Sequence, residues 1–344
     1  MSPREAFIAQ AGYCRDLGSP FTALLCETLA GTLEPGEPVG AAVLGWQGDP
    51  APLADSVPLR LLGALHALVR SGAAPELGRL YPPSPLPARE ALATALTAAL
   101  REHPDRLTAG LAGPPQTNEV GRSGVLIGGW LEAAARTGLP LELYEIGASA
   151  GLNLLADRYR YRLADREWGS PHARPLLAPR WHGRAPRVEA ALQVHSRQGC
   201  DQHPIDVRDA AARERLLAYI WPDQPARLER LATALETARP EPPRIEQADA
   251  AEWLEVRLGR PADPGVGRLV FHSLVWGYLS SATRARIEAV FERAGRAAST
   301  AAPLGWLRFE PGAAAQLRLM LFPSGEDLLL ARAHPHGEWV EWLT

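Results

Sequence analysis

Lysine is absent from this 344-residue chain, so all 36 basic residues are arginine. A phosphate-binding loop of the Gly-Lys-Ser/Thr type needs a lysine, as does a pyridoxal Schiff base, and both are therefore excluded. Catalysis by a lysine amine is excluded for the same reason. The 39 acidic residues bring the formal net charge to −3, which argues against a general nucleic-acid binder or a protein held on anionic membranes.

Cysteine is also scarce, with single residues at Cys14, Cys26 and Cys200. Because they form no Cys-x-x-Cys pair, neither a disulfide framework nor a cysteine-rich zinc site is indicated. No apolar run is long enough to span a bilayer, and the first residues show no basic-then-apolar signal segment. We therefore expect a soluble cytoplasmic protein without a membrane partner, whose oligomeric state the sequence leaves open.

The first third of the chain is predicted to be helical. Capping signals at Ser2 and Ser19 start two helices, and apolar residues at helical spacing indicate two more. No convincing strand pattern occurs in this part. We expect residues 1–115 to form a helical N-terminal region on the substrate side, and residues 116–344 to form an α/β domain with an insertion at about 159–190.

One stretch, LPLELYEIGASAGLNLL at residues 139–155, combines an apolar strand, a turn of small residues and a helix start. Such a turn directs backbone N–H groups and the positive end of a helix towards a ligand. Strand and helix patterns then alternate as far as Glu310, and an antiparallel meander follows. Because parallel strands need crossover helices, the pattern predicts a Rossmann-like, doubly wound, mainly parallel sheet with antiparallel C-terminal strands.

Polar residues close five successive predicted strands. They are Glu145 with Gly147, Asp201, Asp249, His272 and Glu310. Ligands of doubly wound sheets bind beyond the carboxyl ends of the strands, so we expect these side chains at a ligand site. An upstream polar cluster of Asn118, Glu119 and Arg122 is a candidate for substrate contact, although helix caps and solvated charges are the alternative interpretation.

The pattern Glu145-x-Gly147-x-x-x-Gly151, with acids after the second and third strands and a terminal antiparallel hairpin, resembles the class I S-adenosylmethionine-dependent methyltransferase fold. This resemblance covers roughly the last two-thirds of the chain. A second resemblance, to a bacterial family of unknown function (domain of unknown function 2332), spans nearly the full length. It is carried by TNEVGR, YEIGASAGLNL, DRYRYR, AYIWPDQ, HSLVW and HPHGEWVEW. This second resemblance implies no reaction.

The methyltransferase resemblance implies S-adenosylmethionine as cofactor and an unidentified small molecule as methyl acceptor. The implied cofactor-binding residues are Glu145, Gly147, Ser149, Gly151, Asp201, Asp249, Ala250 and His272. The turn after Glu145 would face the methionine part of the cofactor. Asp201 would accept hydrogen bonds from both ribose hydroxyls, and Asp165 is the alternative because its spacing is closer to that of compact nucleotide-binding units. Asp249 with Ala250 would contact the adenine edge.

The same resemblance implies the catalytic and substrate residues. His272 would lie beside the sulfonium, where a neutral imidazole could serve as general base, and Glu119 and Tyr278 are further catalytic candidates. The substrate candidates are Asn118, Glu119, Arg122, Trp276 and Glu310. The reaction would be an in-line displacement, which gains chiefly from holding the nucleophile and the sulfonium at attack distance.

Two other functions fit the same stretch. Gly147-Ala148-Ser149-Ala150-Gly151 matches the nucleophile elbow of serine hydrolases, in which Ser149 would attack and His334 or His336 would act as base. The helical character of the preceding chain and the lack of an HGGG-like segment argue against this reading. A protein that binds a nucleotide or another cofactor without catalysis is the second alternative.

No metal site is expected. His334-x-His336 is interpreted as a turn around Pro335, because no acidic or cysteine partner with ligand spacing is recognised beside it.

Overall fold

The computed structural model describes residues 1–312 and 314–344. The chain divides into two compact units, one of Met1–Thr117 with Ala210–Glu229 and one of Asn118–Asp209 with Arg230–Thr344. The segment Ala210–Glu229 thus belongs to the first unit, whereas the sequence analysis assigned it to the α/β domain. Its apolar residues indicate a helix but carry no information about which core they enter.

Helices and strands follow one another as follows. The α-helices are α1 (Pro3–Asp16), α2 (Pro20–Thr32), α3 (Pro38–Leu44), α4 (Val57–Arg70), α5 (Pro75–Gly78), α6 (Arg89–Glu102), α7 (Pro104–Leu111), α8 (Ser123–Thr137), α9 (Ala210–Ala218), α10 (Pro225–Ala238), α11 (Ala250–Leu258) and α12 (Ser281–Ala297). The strands are β1 (Leu141–Ile146), β2 (Arg160–Leu163), β3 (Arg166–Trp168), β4 (Leu176–Leu177), β5 (Arg180–His182), β6 (Val194–Asp201), β7 (Arg244–Gln247), β8 (Gly267–Ser273), β9 (Leu304–Glu310), β10 (Ala315–Phe322), β11 (Glu326–Ala333) and β12 (Trp339–Trp342). Short 3₁₀ helices cover Val120–Arg122, Leu152–Arg158 and Trp276–Tyr278.

The first unit is helical because apolar residues recur at helical spacing along it. In α4, Leu61, Leu65 and Leu68 lie on one face and are buried. Ser2 and Glu5 form a capping box that starts α1, as the sequence predicted. The sequence analysis missed α3, α5 and α7, because helices this short show no more than two turns of any apolar period.

The second unit is built on a sheet that contains nine strands within the described residues, in the order β5-β12-β11-β10-β9-β8-β1-β6-β7. The strands β7, β6, β1, β8 and β9 pair in parallel, and β10, β11 and β12 continue the sheet with antiparallel pairs. The predicted large, mainly parallel sheet with antiparallel C-terminal strands is confirmed. From β1 the chain proceeds outward through β6 and β7 and returns to the other side of β1 at β8. The strand order therefore reverses beside β1, which is where ligands bind in sheets of this kind.

Two local predictions around this sheet were wrong. The helix expected directly after Gly151 is a 3₁₀ helix over Leu152–Arg158 instead of an α-helix. Over so few residues, periods of about 3.0 and 3.6 place apolar residues at nearly the same positions. The expected insertion at about 159–190 is only partly separate, because β2, β3 and β4 form a small sheet while β5 joins the main sheet beside β12.

None of the helices in the described ranges combines the length and the apolarity that crossing a bilayer requires.

Candidate functional site

The predicted site residues fall into two groups on opposite faces of the main sheet. Successive residues of a strand point to opposite faces. In β8, Phe271 contacts a tryptophan of α8, whereas Val270 packs with residues of α11 and α12. His272 therefore shares the α12 face with Val270. Glu145 of β1 lies on the α8 face, because the residues on either side of it pack with α11 and α12.

We call the first group, on the α8 face, the Glu145 cluster. It consists of Glu145, Ser149 and Asn153 with the upstream residues Asn118, Glu119 and Arg122. The second group, on the α12 face, is the His272 cluster. It consists of His272, Trp276, Trp306 and Glu310.

The turn after β1 takes the left-handed backbone conformation at alternate residues, with φ of +66° at Gly147, +54° at Ser149 and +71° at Gly151. A Cβ at Gly147 would lie 2.5 Å from the side chain of Val275, and a Cβ at Gly151 would lie 2.5 Å from the ring of Pro243. Both positions thus need glycine for the backbone and for the lack of a side chain.

Glu145 is buried at the carboxyl end of β1, with 2% of its surface exposed. Its Oε2 has no hydrogen-bond partner among the described residues. Burial first, and then the negative charge of Asp201, raise the pKa of Glu145 well above its usual range, while Arg122 and a hydrogen bond from Asn153 act in the opposite direction. A buried carboxyl of this kind can bind a proton or a cationic ligand.

Asp201 joins the loops that follow β1 and β6. Its Oδ2 accepts the backbone N–H of Ser149 at 2.8 Å, and its Oδ1 accepts that of His203 at 2.8 Å. A carboxylate has roughly four acceptor positions, so contact with ribose hydroxyls is compatible with these two bonds and stays a prediction. Asp165, the alternative, lies in the turn between β2 and β3, outside the main sheet.

Ser149 Oγ is buried and has no hydrogen-bond partner among the described residues. A nucleophilic serine needs a base within hydrogen-bond reach, and no described histidine contacts this hydroxyl. The geometry around Ser149 therefore gives the hydrolase alternative no support.

The upstream polar residues lie beside the same turn. Asn118 Oδ1 accepts a backbone N–H at the start of the 3₁₀ helix after Gly151, at 2.9 Å. Arg122 Nη1 donates to the backbone oxygen at the end of β8, at 3.0 Å. Glu119 caps the 3₁₀ helix that follows it and lies 3.4 Å from Nη2 of Arg230. Each of these side chains thus has a structural bond, and their contact with substrate stays a prediction.

Two further predicted residues have clear local settings. Asp249 caps α11, because its Oδ1 accepts the backbone N–H groups of Ala251 at 2.9 Å and Glu252 at 3.1 Å. The adenine contact predicted for Asp249 and the adjacent Ala250 stays a prediction. Tyr278 is 70% exposed and belongs to neither cluster.

His272 is completely buried on the α12 face, and both of its ring nitrogens are engaged. Nε2 accepts the indole N–H of Trp306 at 3.2 Å, and Nδ1 lies 2.6 Å from Glu310 Oε1. Because Nε2 accepts, Nδ1 is the nitrogen that donates to Glu310. Trp276 stacks on the imidazole ring, with the ring centroids 5.4 Å apart. Acting as a general base would require His272 to lose the bond to Trp306.

A cavity of about 470 Å³ opens beside the His272 cluster, between α12 and strands β8, β9 and β10. All four residues of the cluster line it. The cavity therefore collects His272, Trp276 and Glu310 from the predicted site, and separates them from Glu145, which lies on the other face.

The turn before β12 brings three possible metal ligands together. One ligand atom from each of His334, His336 and Glu338 lies within 4.8 Å of the others. The turn is closed by the backbone N–H of His336, which donates to His334 Nδ1 at 3.1 Å. The sequence analysis found no acidic partner for the histidines and was wrong on that point, because the turn carries Glu338 back towards them.

Sequence reasoning missed Trp306 and Val275. Trp306 lies four residues before Glu310 on the same strand, and strand alternation places both on one face, so this signal was present. Val275 fills the space over Gly147 and donates its backbone N–H to Glu310 Oε1 at 3.0 Å. Nothing local in the sequence indicates this contact between the loop after β8 and the turn after β1.

Residues 4–342 match the family described as an uncharacterized protein conserved in bacteria, DUF2332. The chain belongs to this family. Membership in DUF2332 confirms the near full-length resemblance that the sequence segments indicated, and it assigns no reaction. Comparison of this DUF2332 protein with curated proteins and with solved structures finds no match.

Proposed function

We propose that this DUF2332 protein binds S-adenosylmethionine at the carboxyl end of β1 and transfers its methyl group to a small molecule. The observation that carries the proposal is the buried carboxyl of Glu145, whose Oε2 has no partner among the described residues. It lies at the strand beside which the strand order reverses. A cationic group of a ligand would supply the missing partner, and both the ammonium and the sulfonium of this cofactor are cations.

The residues present fit the amino-acid end of the cofactor. Glu145 Oε2 and Ser149 Oγ are both buried without partners in the described part of the chain, and they belong to one strand and the turn that follows it. An ammonium group has three hydrogens to donate to such acceptors. The side chain of Val275 fills the space over Gly147, so the loop that carries Val275 would form one wall of the site.

The bound cofactor would supply an electrophilic methyl group, and the chain's contribution is binding and orientation. Glu145 would hold the cation in a buried setting, where its attraction is weakly screened. Asp201, fixed by two backbone N–H groups, would accept from the ribose. Because methyl transfer gains most from positioning, these contacts are sufficient to support catalysis without a proton taken up by His272.

Calorimetry with S-adenosylmethionine and S-adenosylhomocysteine tests the proposal directly. We expect the wild-type protein to bind both, and Glu145→Gln to bind at least about tenfold more weakly, because the amide keeps the size of the side chain but loses its charge. Glu189→Gln, an exposed carboxyl away from the site, should bind like the wild type. Folded wild-type protein that produces no heat with either ligand would refute the proposal.

Proton release separates Glu145 from other binding modes. The raised pKa of Glu145 means that the free site binds a proton more readily than an ordinary glutamate. A cationic ligand should expel this proton, and the measured binding enthalpy should then depend on the ionisation enthalpy of the buffer. The dependence should be smaller in Glu145→Gln. Equal dependence in both proteins would remove Glu145 from the site.

The alternative of cofactor binding without catalysis is favoured by one observation, the engagement of both ring nitrogens of His272. It predicts S-adenosylmethionine binding with no formation of S-adenosylhomocysteine in the presence of a panel of small-molecule acceptors. Formation of S-adenosylhomocysteine that stops in Glu145→Gln would decide for methyl transfer.

A further inference from the structure

We infer that the cavity on the α12 face binds a small organic cation, an ammonium compound with an apolar body. The cavity volume of about 470 Å³ lies within the range of roughly 300–1,000 Å³ that is usual for small-molecule sites. It lies on the opposite face of the sheet from Glu145. The inference therefore goes beyond the proposed function and does not depend on it.

Aromatic rings form much of the wall. One face of Trp306 stacks on Phe291, with the ring centroids 4.1 Å apart, and the guanidinium of Arg308 lies 4.7 Å from the centroid of the same indole. Trp306 is thus already held by protein groups. Trp276 stacks on His272 and is only half-buried, which makes it the indole that a ligand can reach. The face of an indole attracts cations within about 6 Å.

The charges of the lining also favour a cation. Glu288 and Glu292 lie one helical turn apart on α12, line the cavity, and form no ion pair with any described residue. The two arginines of the lining, Arg308 and Arg318, both pair with Asp327, at 2.6 Å and 3.2 Å. The arginine charges are therefore balanced locally, whereas those of the α12 carboxylates are not.

Glu310 adds a third carboxyl group to the lining. Its Oε1 accepts from His272 and from the backbone of Val275, and its Oε2 has no partner among the described residues. An anionic ligand would meet these three carboxyl groups and only arginines that are already paired. A cation meets complementary charge and an indole face in the same cavity.

Choline and 3,3-dimethylbutan-1-ol, its uncharged isostere, form a matched pair of probes. We expect calorimetry or tryptophan fluorescence to show choline binding at least about tenfold more tightly than the alcohol, because only the cation gains from the indole and the carboxylates. The double variant Glu288→Gln/Glu292→Gln should weaken choline binding about tenfold, and so should Trp276→Leu. Both glutamates are exposed, so the double variant should fold normally. Glu189→Gln is the matched control and should leave the affinity unchanged.

Three results would overturn the inference. They are no choline binding at millimolar concentration, equal binding of choline and the alcohol, and choline binding that survives the loss of both Glu288 and Glu292. Glu145→Gln separates the two proposals, because it should leave choline binding intact. If S-adenosylmethionine, itself a cation, loses affinity in the double variant but not in Glu145→Gln, the cofactor site proposed at β1 fails and the cation cavity stands.

Discussion

His272 donates its Nδ1 hydrogen to Glu310 Oε1 across 2.6 Å, inside a region from which the ring is completely excluded from solvent. The other ring nitrogen accepts the indole N–H of Trp306, so three side chains from β8 and β9 form one buried polar chain. Buried polar networks stabilise a structure when every member is satisfied and destabilise it when one member is removed. The stability of this network is therefore the most direct measure of its structural role.

Glu310→Ala should lower the free energy of unfolding by about 2–4 kcal/mol, because it leaves the His272 Nδ1 hydrogen and the backbone N–H of Val275 without their acceptor. Glu310→Gln should recover most of this loss, since the amide oxygen can still accept from both. Urea unfolding followed by tryptophan fluorescence measures the difference. Equal losses in the two variants would show that the carboxyl group contributes through something other than these bonds.

Gly147→Ala should destabilise the protein more than an alanine at another left-handed glycine. Gly325 is the matched control, because its φ of +72° is similar and a Cβ there would meet nothing within 4 Å. We expect a loss of about 1 kcal/mol in Gly325→Ala from backbone strain alone, and about 2–4 kcal/mol in Gly147→Ala, where the new Cβ also meets Val275.

Adding Val275→Ala to Gly147→Ala tests the cause of that extra loss. The double variant should be more stable than the sum of the two single losses predicts, because the second substitution removes the clash. Chemical denaturation of the four proteins completes the cycle. Strict additivity would show that Val275 is not what excludes a side chain at Gly147.

His66 should make the helical unit sensitive to acid. It is buried, its Nδ1 lies 3.0 Å from the carbonyl oxygen of Ala218, and burial lowers its pKa from 6.5 to about 4. Between these two values the unfolded chain binds a proton that the folded chain does not. The stability contributed by neutral His66 is therefore present above pH 6.5 and is lost as the pH falls towards 4, by up to about 3 kcal/mol.

The measurement is the free energy of unfolding from urea curves between pH 7.5 and pH 4.5, in the wild type and in His66→Gln. The variant should show a flatter decline over this interval, although its stability at pH 7.5 is lower. His195→Gln changes an exposed histidine and should keep the wild-type slope. Parallel curves for the wild type and His66→Gln would contradict the assignment.

The parallel half of the sheet could be predicted because its signals are local. An apolar run, a turn and an amphipathic helix each occupy a few consecutive residues, and their alternation leaves a parallel sheet as the compact arrangement. The capping box at Ser2 was equally readable. Elements with too few residues to show a period, such as α5 and the 3₁₀ helix over Leu152–Arg158, could not be assigned in this way.

The candidate site was predictable only in part. The sequence placed Glu145, His272 and Glu310 at the carboxyl edge of one sheet, and the structure has them at the ends of β1, β8 and β9. Strand alternation states which residues of one strand share a face. It does not state which face of a neighbouring strand they join, because that depends on strand register and on the helices that cover each side.

The sequence by itself determined the chemistry that this protein lacks, its membership in DUF2332 and the alternation of strands and helices from which its sheet is built, since composition and periodicity are properties of the chain alone. Only the tertiary structure decided that Glu145 and His272 lie on opposite faces, that Val275 covers Gly147, and that α12 and three strands enclose a cavity. These are contacts between segments far apart in the chain, and close packing of the whole unit, not local propensity, selects them.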